Sequence, residues 1–183
     1  HGTVRDVPVE LSDIFHRSPE DLGMRQVYDV AHNTAMLEEH ESEGKLRRLL
    51  VHRKGATRAY GPGAKGIPEE FRSIGQPVII GGSMETGSYL LAGVKTGSQA
   101  FFSTAHGSGR TMSRHQAKKL TDSRKLQKDM KARGIYVRTA SWAGLAEEAR
   151  FAYKDIDQVI EATIQAGLTE RVARFLPMGN IKG

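Results

Sequence analysis

The sequence predicts an α+β fold of mixed and antiparallel sheets with a few helices, and three observations carry that expectation. Short apolar runs bounded by Gly, Pro or Ser crowd the first two thirds of the chain, helical periodicity is confined to two stretches after them, and no segment repeats. The runs Gln26–Ala31, Leu46–His52, Pro77–Ile80, Ser88–Val94, Gln99–Thr104 and Ile135–Thr139 have the length and the flanking turn residues of strands. Residues 111–133 read as one helix, with Ala117, Leu120 and Met130 as an apolar stripe and Gly134 as its C-terminal stop. Residues 155–166 read as a second helix closed by Gly167, and Leu168–Met178 as a last strand. Between them, Gly55, Gly61, Pro62, Gly63, Gly66, Pro68 and Gly75 make residues 55–75 a long irregular stretch of the kind that carries function in compact domains.

Composition sets the chemistry available. A chain of 183 residues with 38% apolar content can bury one real core, so one domain or a large piece of one is expected. The absence of cysteine excludes disulfides and thiolate metal sites within this chain and leaves histidine and carboxylate as the strong metal ligands. No apolar run approaches membrane-spanning length and the opening residues do not read as a signal peptide, so a cytoplasmic protein with no membrane partner is the expectation.

The formal charge of +6 is unevenly spread. Residues 45–58 hold Lys45, Arg47, Arg48, Arg53, Lys54 and Arg58 with no acid, and residues 110–138 hold many Lys and Arg against only Asp122 and Asp129. Two basic blocks in a chain otherwise near neutral point to an anionic partner, nucleic acid first, although a solvated helix face is an equal reading of 114–133.

The most informative run is Ser103-Thr104-Ala105-His106-Gly107-Ser108-Gly109-Arg110, in which apolar Ala100-Phe101-Phe102 delivers a histidine into a glycine-rich turn ahead of the basic helix. Glycines let backbone approach a ligand, a helix start presents free N–H groups, and an imidazole there can attack, ligate a metal or relay protons. A plain loop that contains a histidine fits the same residues. On the residues alone His32 reads as a structural histidine, Tyr153 equally as a core residue, and Lys182 as a solvated tail.

Six separated runs change that weighing. Tyr28-Asp29-Val30-Ala31-His32-Asn33, Val51 through Ala59, Gly82-Ser83-Met84, Ser103 through Arg114, Ala152 through Asp157 and Ile181-Lys182-Gly183 together resemble, in order and at close to family spacing, the RtcB family of RNA-splicing ligases over about residues 24 to 183. The resemblance implies a GTP- and manganese-dependent ligase that joins an RNA end bearing a 2′,3′-cyclic phosphate or 3′-phosphate to a 5′-hydroxyl end, tRNA halves among its substrates. It implies that His106 is guanylylated, that His32 is a manganese ligand, and that Asn33, Gly81, Gly82, Ser83, Met84 and Ser88 lie around the nucleotide. Gly107, Ser108 and Gly109 would then bring backbone N–H groups to a phosphate, Tyr153 would stack on guanine, Lys182 would bond the base from a C-terminus tucked into the site, and Lys54, Arg110 and Arg114 would hold phosphate or RNA. Asp29 is a weaker metal candidate.

Three departures accompany the resemblance. Glu85 and Gly87 stand where small residues are usual, and Ser108 where alanine is usual. The family's other metal ligands, a cysteine, an aspartate and further histidines, belong to an N-terminal half with no counterpart here, and His1, His16, His40, His52 and His115 lie outside the matching motifs. The chain is therefore expected to be the C-terminal portion of such a ligase, residues 1–23 being an unmatched lead-in. It is expected to lack tight manganese binding by itself and to associate with the missing half or with itself, with an archease-type activator as a further partner. Two rivals remain: a non-catalytic RNA-binding module, and a phosphotransfer enzyme with His106 as a phosphohistidine.

Overall fold

The computed structural model describes residues 12–182, without the side chain of Lys182. The chain divides into two compact units, His1–Ala31 and His32–Gly183. In the first, residues 12–15 are helical and a turn over residues 18–24 is closed by Leu22 and Met24 N–H groups donating to Ser18 and Pro19 carbonyls. The expected strand Gln26–Ala31 is not formed. A strand needs a partner ladder, and the first one starts beyond this run, at Asn33.

The second unit opens with a hairpin of β1 (Asn33–Ser42) and β2 (Lys45–Lys54), antiparallel in register from Asn33 opposite Lys54 to Ser42 opposite Lys45. Its two-residue turn, Glu43-Gly44, has φ of 54° and 70°, the mirror-image turn whose twist matches paired strands. Two small ladders follow: β3 (Ala56–Arg58) pairs antiparallel with β6 (Ser103–Ala105), and β7 (Tyr136–Thr139) pairs parallel with β9 (Gly179–Lys182). The fourth sheet, ordered β4–β5–β8, is built from β4 (Pro77–Gly81), β5 (Ser88–Gly93) and β8 (Thr169–Phe175), all antiparallel. Mixed helices and mainly antiparallel strands make the α+β fold that the sequence predicts.

Two local readings are corrected. The single helix 111–133 is two helices, α1 (Arg114–Leu120) and α2 (Ser123–Ala132). Thr121 is extended and Asp122 caps α2 by accepting from the Arg124 and Lys125 N–H groups, so a capping residue in mid-run ends one helix and starts the next. Because α2 is restarted, the apolar stripe does not stay on one face: Ala117 and Met130 are fully buried whereas Leu120 is exposed. The strand expected over Gln99–Thr104 begins only at Ser103. Residues Lys95–Ala100 form a 3-10 turn, and Phe101 and Phe102 both take left-handed backbone, φ 51° and 49°. Left-handed backbone costs roughly 1–2 kcal/mol at a side-chain-bearing residue, so something must hold this corner.

Helix α3 (Trp142–Glu147), capped by Ser141, and helix α4 (Ile156–Gln165), capped by Asp155, complete the unit. One core packs Val78 and Ile80 of β4 and Tyr89 and Leu91 of β5 against Ile156 and Ile160 of α4. A second gathers Met84, Met130, Ile135, Val137 and Leu145. No helix among the described residues is long and apolar enough to cross a membrane.

Candidate active site

His106 is the first residue beyond β6, and its position is set by the end of β4. Gly81 donates its N–H to the His106 carbonyl at 3.3 Å, and its own carbonyl accepts from the Ser108 N–H at 2.8 Å. Gly107, held between these two bonds, sits so close that an added Cβ would meet the Gly81 oxygen at 3.4 Å. A small residue suits this position because the two backbones lie side by side.

His32 comes to the same place from the other side. It precedes β1, and the Gly55 N–H donates to its carbonyl at 3.1 Å and to Asn33 Oδ1 at 3.3 Å, tying the open end of the hairpin together. The His32 and His106 rings lie 4.3 Å apart between centroids, inclined by 50°. Gly55, at φ +68°, backs the pair, since a Cβ on it would stand 3.9 Å from His106 Nε2. Lys54 is exposed directly across the ladder from Asn33. Burial, reinforced by the neighbouring His32, pushes the His106 imidazole below its ordinary value and so favours its neutral form.

The Gly82–Gly87 turn beyond β4 closes on itself. Gly82 N–H donates to the Gly87 carbonyl at 2.9 Å, Ser83 N–H to Thr86 Oγ1 at 2.9 Å, and Glu85 N–H to Ser83 Oγ at 3.2 Å. Met84 points into the second core, and Ser88 begins β5 opposite Gly81. Glu85 accepts from the Arg150 N–H at 2.8 Å and pairs with Arg133, which gives the unusual acid a structural task. A cavity of about 440 Å³ opens beside this turn, with Ser83, Leu126, Phe151, Tyr153 and Asp155 among its walls. His32 and His106 do not line it.

Arg110 is engaged within the chain. Its guanidinium donates to the Met112 carbonyl at 3.2 Å, the Tyr153 hydroxyl at 3.0 Å and the Glu147 carbonyl at 2.6 Å, and lies 4.8 Å over the Tyr153 ring. Tyr153 in turn donates its hydroxyl to Glu148 at 2.6 Å, and burial together with that carboxylate pushes the phenol up to about 12. One ring face of Tyr153 is thus taken by Arg110. Arg114 is largely exposed and its Nε stands 3.4 Å from Glu147.

Ser108 is buried, and its hydroxyl has no hydrogen-bond partner among the described residues. Gly109 sits at φ +73° with its carbonyl accepting from the Lys154 N–H at 3.0 Å. The Lys182 side chain, expected on the base, lies outside the described residues, while its backbone is paired with Thr139 in the β7–β9 ladder. Among the described residues no group of three or more His, Asp or Glu converges as a metal site. His32 and His106 alone therefore do not fit a two-metal centre, which needs several ligands on each ion.

Sequence reasoning missed the acids that tame the basic helix region. Glu147 holds Lys118 at 2.5 Å as well as Arg114, and Glu148 stands 3.5 Å from Arg110. Their only sequence signal is an acidic pair at the end of an alanine-rich run. Within the other basic block, Arg53 is buried on Glu38 rather than offered to an anion.

A profile of the family described as tRNA-splicing ligase RtcB matches residues 4–183. The chain belongs to the RtcB family. Among RtcB relatives, the tRNA-splicing ligase RtcB of Aeropyrum pernix is 46% identical over 170 residues, covering 93% of this chain and 35% of that protein. That of Archaeoglobus fulgidus is 52% identical over 167 residues, covering 91% of this chain and 35% of the relative. The RNA-splicing ligase RtcB of Mycobacterium tuberculosis is 53% identical over 157 residues, 86% of this chain and 36% of the relative. The chain thus spans about a third of the length of these RtcB proteins. The profile match begins well inside the lead-in that the six motifs leave uncovered.

Proposed function

We propose that this chain carries the nucleotidyl-transfer half of a GTP-dependent RNA ligase, with His106 as the residue that receives GMP. What carries the reading is the setting of His106: an imidazole biased toward its neutral form, beside His32, on a backbone clasped by Gly81 and followed by the glycine-flanked turn Gly107-Ser108-Gly109, whose buried Ser108 hydroxyl has no partner among the described residues. An unprotonated ring nitrogen has the lone pair that attack on the α-phosphorus of GTP requires. The P–N bond forms as the bond from that phosphorus to the bridging oxygen breaks, and pyrophosphate leaves with the electron pair. An oxygen of an RNA 3′-phosphate then attacks the same phosphorus and releases the imidazole, and the 5′-hydroxyl of the second RNA attacks the 3′-phosphate, expels GMP and gives up its proton. A 2′,3′-cyclic end must first add water.

The cavity beside Ser83 and Tyr153 suits a purine, with Tyr153, Lys154 and Asp155 among its walls. The buried Ser108 hydroxyl is a donor in want of an acceptor next to the reacting group, as a phosphate oxygen would be. Manganese, when bound, would act as a Lewis acid on the phosphate; His32 would hold it, and because the described residues bring no further group of His, Asp or Glu together with it, the remaining ligands would come from another segment. RNA joining by the full ligase, tRNA halves as substrates and an archease-type activator belong to this proposal.

Intact-mass measurement after incubation with GTP and manganese tests it, with the chain alone and with the remainder of a family ligase supplied. The expected result is the added mass of one GMP in the supplemented sample, absent in His106→Ala. Label transferred from the γ-phosphate instead of the α-phosphate would replace the ligase reading by that of a phosphohistidine enzyme.

A further inference from the structure

The inner face of the β1–β2 hairpin buries three charged or titratable side chains where a two-stranded ribbon ordinarily puts apolar ones. Glu38 is 8%, His40 5% and Arg53 3% exposed. Arg53 donates through both Nη atoms to the two Glu38 oxygens, at 2.6 and 2.9 Å, and His40 Nε2 lies 2.8 Å from Glu38 Oε2. Burial raises the Glu38 carboxyl, but Arg53 and His40 outweigh it and hold the group below its ordinary range. An ion pair by itself is a weak reason to bury these groups, since an apolar packing would serve the hairpin as well.

The other donors of Arg53 supply the reason. Nη2 also donates to the Phe101 carbonyl at 2.8 Å, and Nε donates to Ser103 Oγ at 3.0 Å. Phe101 and Phe102 are the two consecutive left-handed residues, and this corner turns the chain into β6, whose next residue is His106. The Phe102 carbonyl is taken by the Ala59 N–H at 2.7 Å, and the Phe101 ring packs edge-on against His40 at 5.0 Å. A single guanidinium therefore bonds at once to β1, to the strained corner and to the first residue of β6.

We propose that Arg53 is a positioning residue for His106: fixed by Glu38, it holds the left-handed Phe101–Phe102 corner and so sets the line of β6 and the approach of the His106 ring to His32. The inference deepens the proposed function, because the placement of His106 matters only if that ring reacts. It can nevertheless be tested on geometry without any reaction.

The test is NMR of the full chain, reading the cross-relaxation peak between the His32 and His106 ring protons and, as a fold control, the Ile80 and Leu91 methyl resonances. The double variant Glu38→Gln, Arg53→Met removes the charges together and leaves no lone buried carboxylate. The expected result is at least a several-fold loss of the His32–His106 peak with the control methyls unmoved. Adding Phe101→Gly, which takes positive φ without strain, restores the peak in that background, a rescue that a merely structural ion pair does not produce. Arg53→Lys keeps the charge but not the fork and is expected to lose the same peak even if the double variant does not fold. An unchanged peak in a folded double variant or in Arg53→Lys, or a loss that Phe101→Gly leaves unrepaired, overturns the proposal. Because no GMP adduct is read, failure here and failure of the ligase reading are told apart.

Discussion

Gly81 and Gly107 touch backbone to backbone across the end of β4, and His106 is held on one side of that contact and Ser108 on the other. A Cβ at position 107 would already stand in contact with the Gly81 oxygen, so a branched side chain there is expected to crowd this junction and shift His106. Gly107→Val is therefore expected to lower GMP-adduct formation by roughly a hundredfold, the usual cost of about an ångström of misplacement, while the melting temperature changes little. Adduct formation at the wild-type rate would show that the glycine contact does not set the nucleophile.

Tyr153 gives a pH signature. Its phenol has an ordinary value of 10.0 and is pushed up to about 12 in the folded chain by burial and by the bond to Glu148. The unfolded chain therefore loses this proton first as pH rises, so the stabilisation is complete below pH 10 and is lost as pH climbs through about 12. Tyr153→Phe is expected to be less stable than the parent by about 1 kcal/mol at neutral pH, from the lost hydrogen bond, with the gap closing above pH 10. Denaturant midpoints measured at both pH values check it, and a gap that widens with pH refutes the assignment.

Asp122 separates α1 from α2 by accepting two N–H groups. Asp122→Ala is expected to cost about 1 kcal/mol in urea unfolding. If stability is unchanged, the break between the helices has another cause.

Metal binding should mirror the ligand inventory. Calorimetric titration of this chain with manganese is expected to show no saturable micromolar binding, and His32→Ala to leave the titration as it was. Tight stoichiometric binding would mean that ligands converge here which the described residues do not bring together.

Much of the sheet framework was legible because its strands alternate or run apolar between turn residues: β2, β4, β5, β7 and β8 all stand close to where the pattern puts them. Strand β1 was not, since Glu38, Glu39, His40 and Glu41 carry no β signal, and it forms because β2 and the Glu43-Gly44 turn pair it. The Phe101–Phe102 corner was read as strand because nothing local announces two left-handed phenylalanines, which a bond from Arg53, distant in sequence, helps to hold. In the site, the meeting of His32, His106 and Gly81 followed from the family motifs and could not have been found by spacing. The roles of Glu147 and Glu148 were invisible because an acid's partner is decided by packing; they pair with Arg110, Arg114 and Lys118 of the basic block.

Gly81 ends a strand of the first core, and Met84, three residues on, is buried in the second. The backbone that steadies His106 is therefore the start of one short bridge between two separately packed apolar clusters. A displacement of one cluster against the other strains that bridge, and His106, bonded to Gly81, lies where the strain is felt, so the reactivity of His106 is expected to depend on how firmly the two clusters are locked together.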